Sequence, residues 1–76
     1  MPKLPAEVSR RDVIKFLEKH GFKGEEGGNH TLFKKWDGED YKRVPVPRHS
    51  KIDKRLLDWI LDEAGLTREQ YLAETQ

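Results

Sequence analysis

The sequence predicts an α+β fold of order α-β-β-β-α, closed by a short C-terminal helix, with the helices on one face of a three-stranded antiparallel sheet. Three observations carry this expectation. Two segments with apolar residues at helical spacing are bounded by capping signals, and the stretch between them alternates like strands and is cut by two turn clusters. The length of 76 residues leaves room for one small domain with a thin core, spanning residues 1–76.

Residues 1–8 read as an extended entry, because Pro2 and Pro5 bias their neighbours away from helix. The first helix starts at Ser9, a good N-cap, with Asp12 three residues on and Val8 placed to staple against Val13. Val13, Ile14 and Leu17 form its apolar stripe with Phe16 beside it, and His20-Gly21 ends it, so that Phe22 packs back on Leu17. Lys15, Lys19 and His20 crowd the last turn, where cations offset the negative end of the helix dipole; that role accounts for His20 without catalysis.

From Phe22 to Pro47 the pattern predicts a meander with turns at Gly27-Gly28 and Asp37-Gly38-Glu39-Asp40. In the middle strand Leu32 and Trp36 alternate with Thr31, Phe33 and Lys35, and the first pair is expected to face the helices. In the third strand Val44 and Val46 share one face, and Tyr41 and Arg43 take the other. Pro45 and Pro47 lack ladder donors, which predicts that this strand lies at an edge or ends early.

Leu56, Leu57, Ile60, Leu61 and Ala64 mark the main core helix, capped by Asp53 or, on a competing reading, starting at Ser50. Gly65 ends it, with Leu66 set to touch Leu61. The last helix opens at Thr67, with Gln70 completing a capping box and Leu66 stapled to Tyr71. A polar tail follows.

Zero cysteines exclude a disulfide framework and a thiolate zinc site, and suit a reducing compartment such as the cytoplasm. The apolar runs are far too short for a membrane span, and Met1-Pro2-Lys3-Leu4-Pro5 lacks the apolar stretch of a signal peptide. The net charge of +1 conceals a split. Residues 1–57 hold 14 Lys/Arg against 9 Asp/Glu, whereas residues 58–76 hold 1 against 5, so a basic body meets an acidic end.

Chemistry in such a chain must run on imidazole, carboxylate and cationic groups. His30 is the best-placed candidate, just past Gly27-Gly28 at the start of the middle strand; the competing reading is a hydrogen-bonded histidine at a sheet margin. If Leu32 and Trp36 face the helices, strict alternation puts His30 on that side too, unless the chain frays near Gly28. His49, in Pro47-Arg48-His49-Ser50, is a candidate second acid or base, or else a loop residue near a helix start. The three histidines are scattered and lack carboxylates at ligand spacing, so neither a metal site nor a cofactor is expected. Lys34, Lys35, Lys42, Arg43 and Arg48 are candidate phosphate contacts, and the interleaved Trp36 and Tyr41 suit stacking on unpaired bases as well as packing. Trp59 is expected in packing or on a partner surface.

Several elements in order, Leu4-Pro5, the helix end Gly21-Phe22, Gly28-Asn29-His30, Trp36-Asp37-Gly38, Val44-Pro45-Val46-Pro47-Arg48-His49, and Leu57 with Ile60-Leu61-Asp62-Glu63-Ala64-Gly65-Leu66, together resemble the HicA (YcfA-like) toxin family over nearly the whole chain. The resemblance implies a double-stranded-RNA-binding-domain-like fold and ribosome-independent cleavage of messenger RNA. It also implies neutralisation by a HicB-type antitoxin that covers the active site, with the catalytic histidine at His30. The chain departs from the family pattern at Asn29, where serine is usual, and at Glu25-Glu26, where a basic residue is often found; such a pair is expected to repel phosphate.

The chemistry suits one histidine, because RNA carries its own nucleophile in the 2′-hydroxyl. A free imidazole, with a pKa of about 6.5, both accepts and gives protons near neutrality. Two other readings compete. One is an RNA-binding module of the same fold with weak or no turnover; the other is a protein-interaction domain using Asp58, Asp62, Glu63, Glu69 and Glu74.

Overall fold

The computed structural model describes residues 4–75, so residues 1–3 of the expected extended entry, and the last residue of the tail, lie outside the described residues. In chain order the elements are β1 (Glu7–Ser9), α1 (Arg10–Lys19), β2 (Lys23–Gly27), β3 (His30–Trp36), β4 (Tyr41–Pro47), β5 (Lys51–Asp53), α2 (Lys54–Ala64) and α3 (Arg68–Thr75). Strands β2, β3 and β4 form an antiparallel meander in that order, and the helices lie on one of its faces, giving the expected α-β-β-β-α arrangement.

Helix ends follow from local chemistry. The Ser9 hydroxyl accepts the Arg11 N–H at 3.1 Å, and the Asp53 carboxylate accepts the Leu56 N–H at 2.8 Å, so Asp53 rather than Ser50 caps α2. Both helices close in the same way. Phe22 N–H donates to Leu17 C=O at 3.0 Å and Leu66 N–H to Leu61 C=O at 2.9 Å, across Gly21 (φ 92°) and Gly65 (φ 71°), which only glycine adopts without strain. Thr67 and Gln70 exchange bonds of 2.8 and 3.0 Å in the expected capping box. The resulting α3 docks on α1 through Tyr71, whose ring meets Phe16 edge-on at 5.1 Å.

Two short strands escape sequence reading. β1 pairs with β5 in antiparallel register, Val8 opposite Ile52, and each strand runs straight into a helix. Backbone bonds from Arg10 N–H to Ser50 C=O (3.0 Å) and from Lys54 N–H to Ala6 C=O (2.9 Å) complete the tie, so α1 and α2 start side by side.

The core holds Val13, Phe16 and Leu17 of α1, Phe22 and Phe33, Val44 and Val46 of β4, Ile52, and Leu57, Ile60 and Leu61 of α2. The facing of β3 is the reverse of the expectation from Leu32 and Trp36. Thr31 and Phe33 are buried, whereas Leu32 is half-buried and Trp36 exposed. Register is the cause: Phe33 pairs with Val44 and Thr31 with Val46, so the two valines that must face the helices carry their β3 partners inward with them. Gly24 makes this possible, since a Cβ there would come within 3.0–3.1 Å of the Phe33 ring and the Thr31 methyl. β4 is an edge strand, as its prolines require. No helix is long and apolar enough to cross a membrane among the described residues.

Candidate RNA-contacting face and its histidine

Because residues directly opposite share a face, the register assigns the open side of the sheet. It carries Lys23, Glu25 and Gly27 of β2, His30, Leu32, Lys34 and Trp36 of β3, and Tyr41, Arg43, Pro45 and Pro47 of β4. His30 follows the parity of Leu32 and Trp36, as expected; with that parity reversed, it stands exposed on the open face without any bulge.

His30 opens β3 directly after the two-residue turn Gly28-Asn29, with Gly27 across from it on one side and Pro47 on the other. Arg48 and His49 follow Pro47 into the exposed connection to β5. The backbone around His30 is tied from the opposite face. Arg10 donates from Nε to the Pro47 carbonyl (2.8 Å) and from Nη2 to the Thr31 hydroxyl (2.7 Å); that hydroxyl donates to Glu26 Oε1 (3.3 Å), and Arg48 bonds the other Glu26 oxygen. Arg10 thus joins β3, which carries the imidazole, to β4 beside it. Nothing in the sequence marks it, because its partners come from β3 and β4, with Glu26 of β2 reached only through Thr31.

Four of the five cations nominated from sequence separate into two groups. Lys34 and Arg43 face each other across the open side, and Arg48 stands apart from both groups, beyond the end of β4, where it bonds Glu26, whose strand partner Thr31 is buried. Lys35 and Lys42 form the neighbouring pair, which parity turns toward the helices, so they do not join His30 on the open face. The Lys35 amine sits 5.8 Å from the centre of the Phe22 ring and beside Gly21 at the end of α1. The Lys42 amine lies beside Gly65 at the end of α2, within 2.5 Å of where a Cβ would stand. Both therefore place positive charge at a helix C-terminus, where it is favourable. Lys23, which sequence reading passed over, joins the open face instead, opposite Lys34.

Glu25 and Glu26 do not stand as a bare acidic pair. Glu25 bridges to Lys34 at 3.2 Å, and Glu26 bridges to Arg48. Each acid thus holds one nominated cation, and the expected repulsion of phosphate is replaced by competition for these two side chains. Such exposed pairs are worth at most about 1 kcal/mol, so a phosphate can displace them.

At the far end of the open face, Trp36 and Tyr41 form an edge-to-face pair with ring centres 5.1 Å apart, and remain 55% and 48% exposed. A hollow of about 510 Å³ starts there and reaches round the end of the sheet to Gly21, lined by Lys23, Glu25, Lys34, both aromatic rings and, on the helix side, Lys35. A second, of about 590 Å³, sits at the start of α1 among Arg10, Arg11, Lys15 and Arg48.

The perturbed carboxylates lie away from His30. Asp37, at the β3–β4 turn, is held below the usual carboxylate range by the N–H groups of Asp40 and Glu39. Glu74 is lowered by its bond from His20 (2.8 Å) and by Lys19, and this contact fastens α3 to α1, leaving His20 a structural part. Among the described residues no three His, Asp or Glu side chains gather into a metal-holding group.

With this geometry in place, comparison with known proteins adds one match. The family model described as the HicA toxin of bacterial toxin-antitoxin matches residues 10–66, from the start of α1 to the residue after the Gly65 turn. No curated protein matches the chain.

Proposed function

The chain belongs to the HicA toxin family, and from that membership we propose that it is the toxin of a type II toxin-antitoxin pair, a metal-independent endoribonuclease that cuts messenger RNA without the ribosome. The observation that carries this reading is the exposure of His30 on the open sheet face, between the β2–β3 turn and Pro47, with Lys34 and Arg43 on the same face.

In the proposed reaction His30 takes the proton of a ribose 2′-hydroxyl, and the freed oxygen attacks the adjacent phosphorus. The bond from phosphorus to the 5′-oxygen breaks, and that oxygen leaves with a proton from an acid. The products are a 2′,3′-cyclic phosphate and a 5′-hydroxyl. His49, two residues beyond the partner of His30, is the proposed second proton carrier. Lys34, Arg43 and Arg48 supply charge to phosphates along the strand, the first and last once Glu25 and Glu26 let go. Lys35 and Lys42 are left out of this role by their position. A HicB-type antitoxin that covers the open face would block the reaction.

The test is cleavage of a labelled single-stranded RNA by the purified protein and by His30→Ala, in excess chelator, with analysis of the product ends. Cleavage to cyclic phosphate ends that is lost in the variant is the expected result. Equal activity in both proteins would refute the role of His30, and binding without cleavage by the wild type would favour an RNA-binding module that lacks turnover.

A further inference from the structure

The hollow beside Trp36 and Tyr41 combines two features. Both rings are about half exposed where an aromatic side chain would ordinarily be covered, and three lysines, 23, 34 and 35, line the same hollow against one carboxylate, Glu25. Glu25 is itself tied to Lys34 at 3.2 Å, so the local balance remains positive. The acidic turn that follows Trp36 lies outside the lining of the hollow. Asp37 Oδ1 accepts the N–H groups of Glu39 and Asp40, and Asp40 Oδ1 accepts that of Tyr41. An occupant that uses the rings and the lysines is flat enough to stack on an indole, and anionic. An unpaired nucleotide has both properties, since every base has a π-face and every link carries a phosphate.

We propose that this hollow is a nucleotide subsite, in which a base of single-stranded RNA stacks on Trp36 with Tyr41 as its side wall while Lys23 and Lys34 hold the flanking phosphates. The proposal rests on the nuclease reading for its substrate class and goes beyond it in assigning where the strand is gripped. Trp36 and His30 share one face of one strand, six residues apart, a separation of about 20 Å at roughly 3.3 Å per residue. The gripped base is thus several nucleotides from the cut, and its stacking, rather than base-edge recognition at the imidazole, positions the chain for cleavage. Lys34, between the two, is the cation the strand passes on the way, displacing Glu25.

The experiment uses the full chain carrying Trp59→Phe, so that Trp36 is the sole indole, and His30→Ala, so that RNA is not consumed. Its fluorescence is followed during titration with an unstructured RNA octamer and with an abasic ribose-phosphate strand of equal length. The octamer should quench the indole and the abasic strand should not. Trp36→Leu, followed by a label on the RNA, should bind the octamer about 10-fold or more weakly, and Trp36→Phe, which keeps a ring, should recover most of that loss. Equal quenching by the abasic strand overturns the proposal, and needs no variant that might fail to fold. Equal octamer affinity of a folded Trp36→Leu also overturns it while leaving the nuclease reading standing. Failure of every version to bind the octamer removes both.

Discussion

The two faces of the β2–β3–β4 sheet carry similar side chains to different ends. On the covered side Phe33, Val44 and Val46 meet the helices, and the lysines at its end, Lys35 and Lys42, lie against the last turns of α1 and α2. On the open side the aromatic residues Trp36 and Tyr41 stay half exposed, and the cations Lys34 and Arg43 have at most one surface carboxylate for company. Lys34 and Lys35 are adjacent in sequence and Lys42 and Arg43 are adjacent too, so residue type separates none of them. Strand parity assigns one of each pair to the fold and the other to solvent.

Substitutions on the two sides should therefore fail differently. The largest effect is expected from Phe33→Ala, which empties the centre of the covered face and should cost about 3–5 kcal/mol, enough to unfold much of a small domain; urea denaturation measures it. His30→Ala, by contrast, should lower RNA cleavage by about 10²- to 10⁴-fold and leave the urea midpoint where it was, because the exposed imidazole packs against nothing in the core. A large drop in the midpoint of that variant would break the division between the faces. Next come the adjacent cations. Arg43→Met should flatten the dependence of log affinity for single-stranded RNA on log salt by about 0.7 with little change in stability, whereas Lys42→Met should cost about 0.3–1 kcal/mol of stability and leave that slope unchanged.

The smallest expected effect lies outside the sheet. The Glu74 pKa is lowered by its bond from His20 and by Lys19, so the folded state binds this proton more weakly than the unfolded chain does. The contact therefore stabilises the protein above the ordinary carboxylate value, and that contribution is lost as pH falls through the lower folded value. Glu74→Gln should melt slightly below wild type near neutrality, with the gap closing on acidification. A gap that widens in acid would contradict the sign.

Much of this division is legible in the sequence, but its polarity is not. The caps at Ser9 and Asp53, the closing glycines 21 and 65, and the Thr67–Gln70 box are local signals read within four residues, and each stands where expected. Val44 and Val46 are the only apolar choice for the inner side of β4, so its facing is legible too. β3 is ambiguous, because Leu32 with Trp36 and Thr31 with Phe33 are both plausible inner sets, and the decision comes from register with β4. That one decision carries His30, Lys34 and Lys35 with it. The residues whose roles depend on several strands at once, Arg10 with Thr31, Glu26 and Pro47, and Glu25 with Lys34, leave no pattern along the chain. β1 and β5 are three residues each, too short for alternation to register.

The β1–β5 pairing also bears on the order in which the molecule is made. Glu7 finds its partner in Asp53, so β1 leaves the ribosome well before the strand it pairs with, and the starts of both helices are secured only when that partner arrives. Contacts of such sequence separation form late. Pro47, whose carbonyl Arg10 needs in order to brace the strands beside His30, likewise emerges long after α1. The imidazole is thus synthesised before the carbonyl through which Arg10 braces its strand to β4.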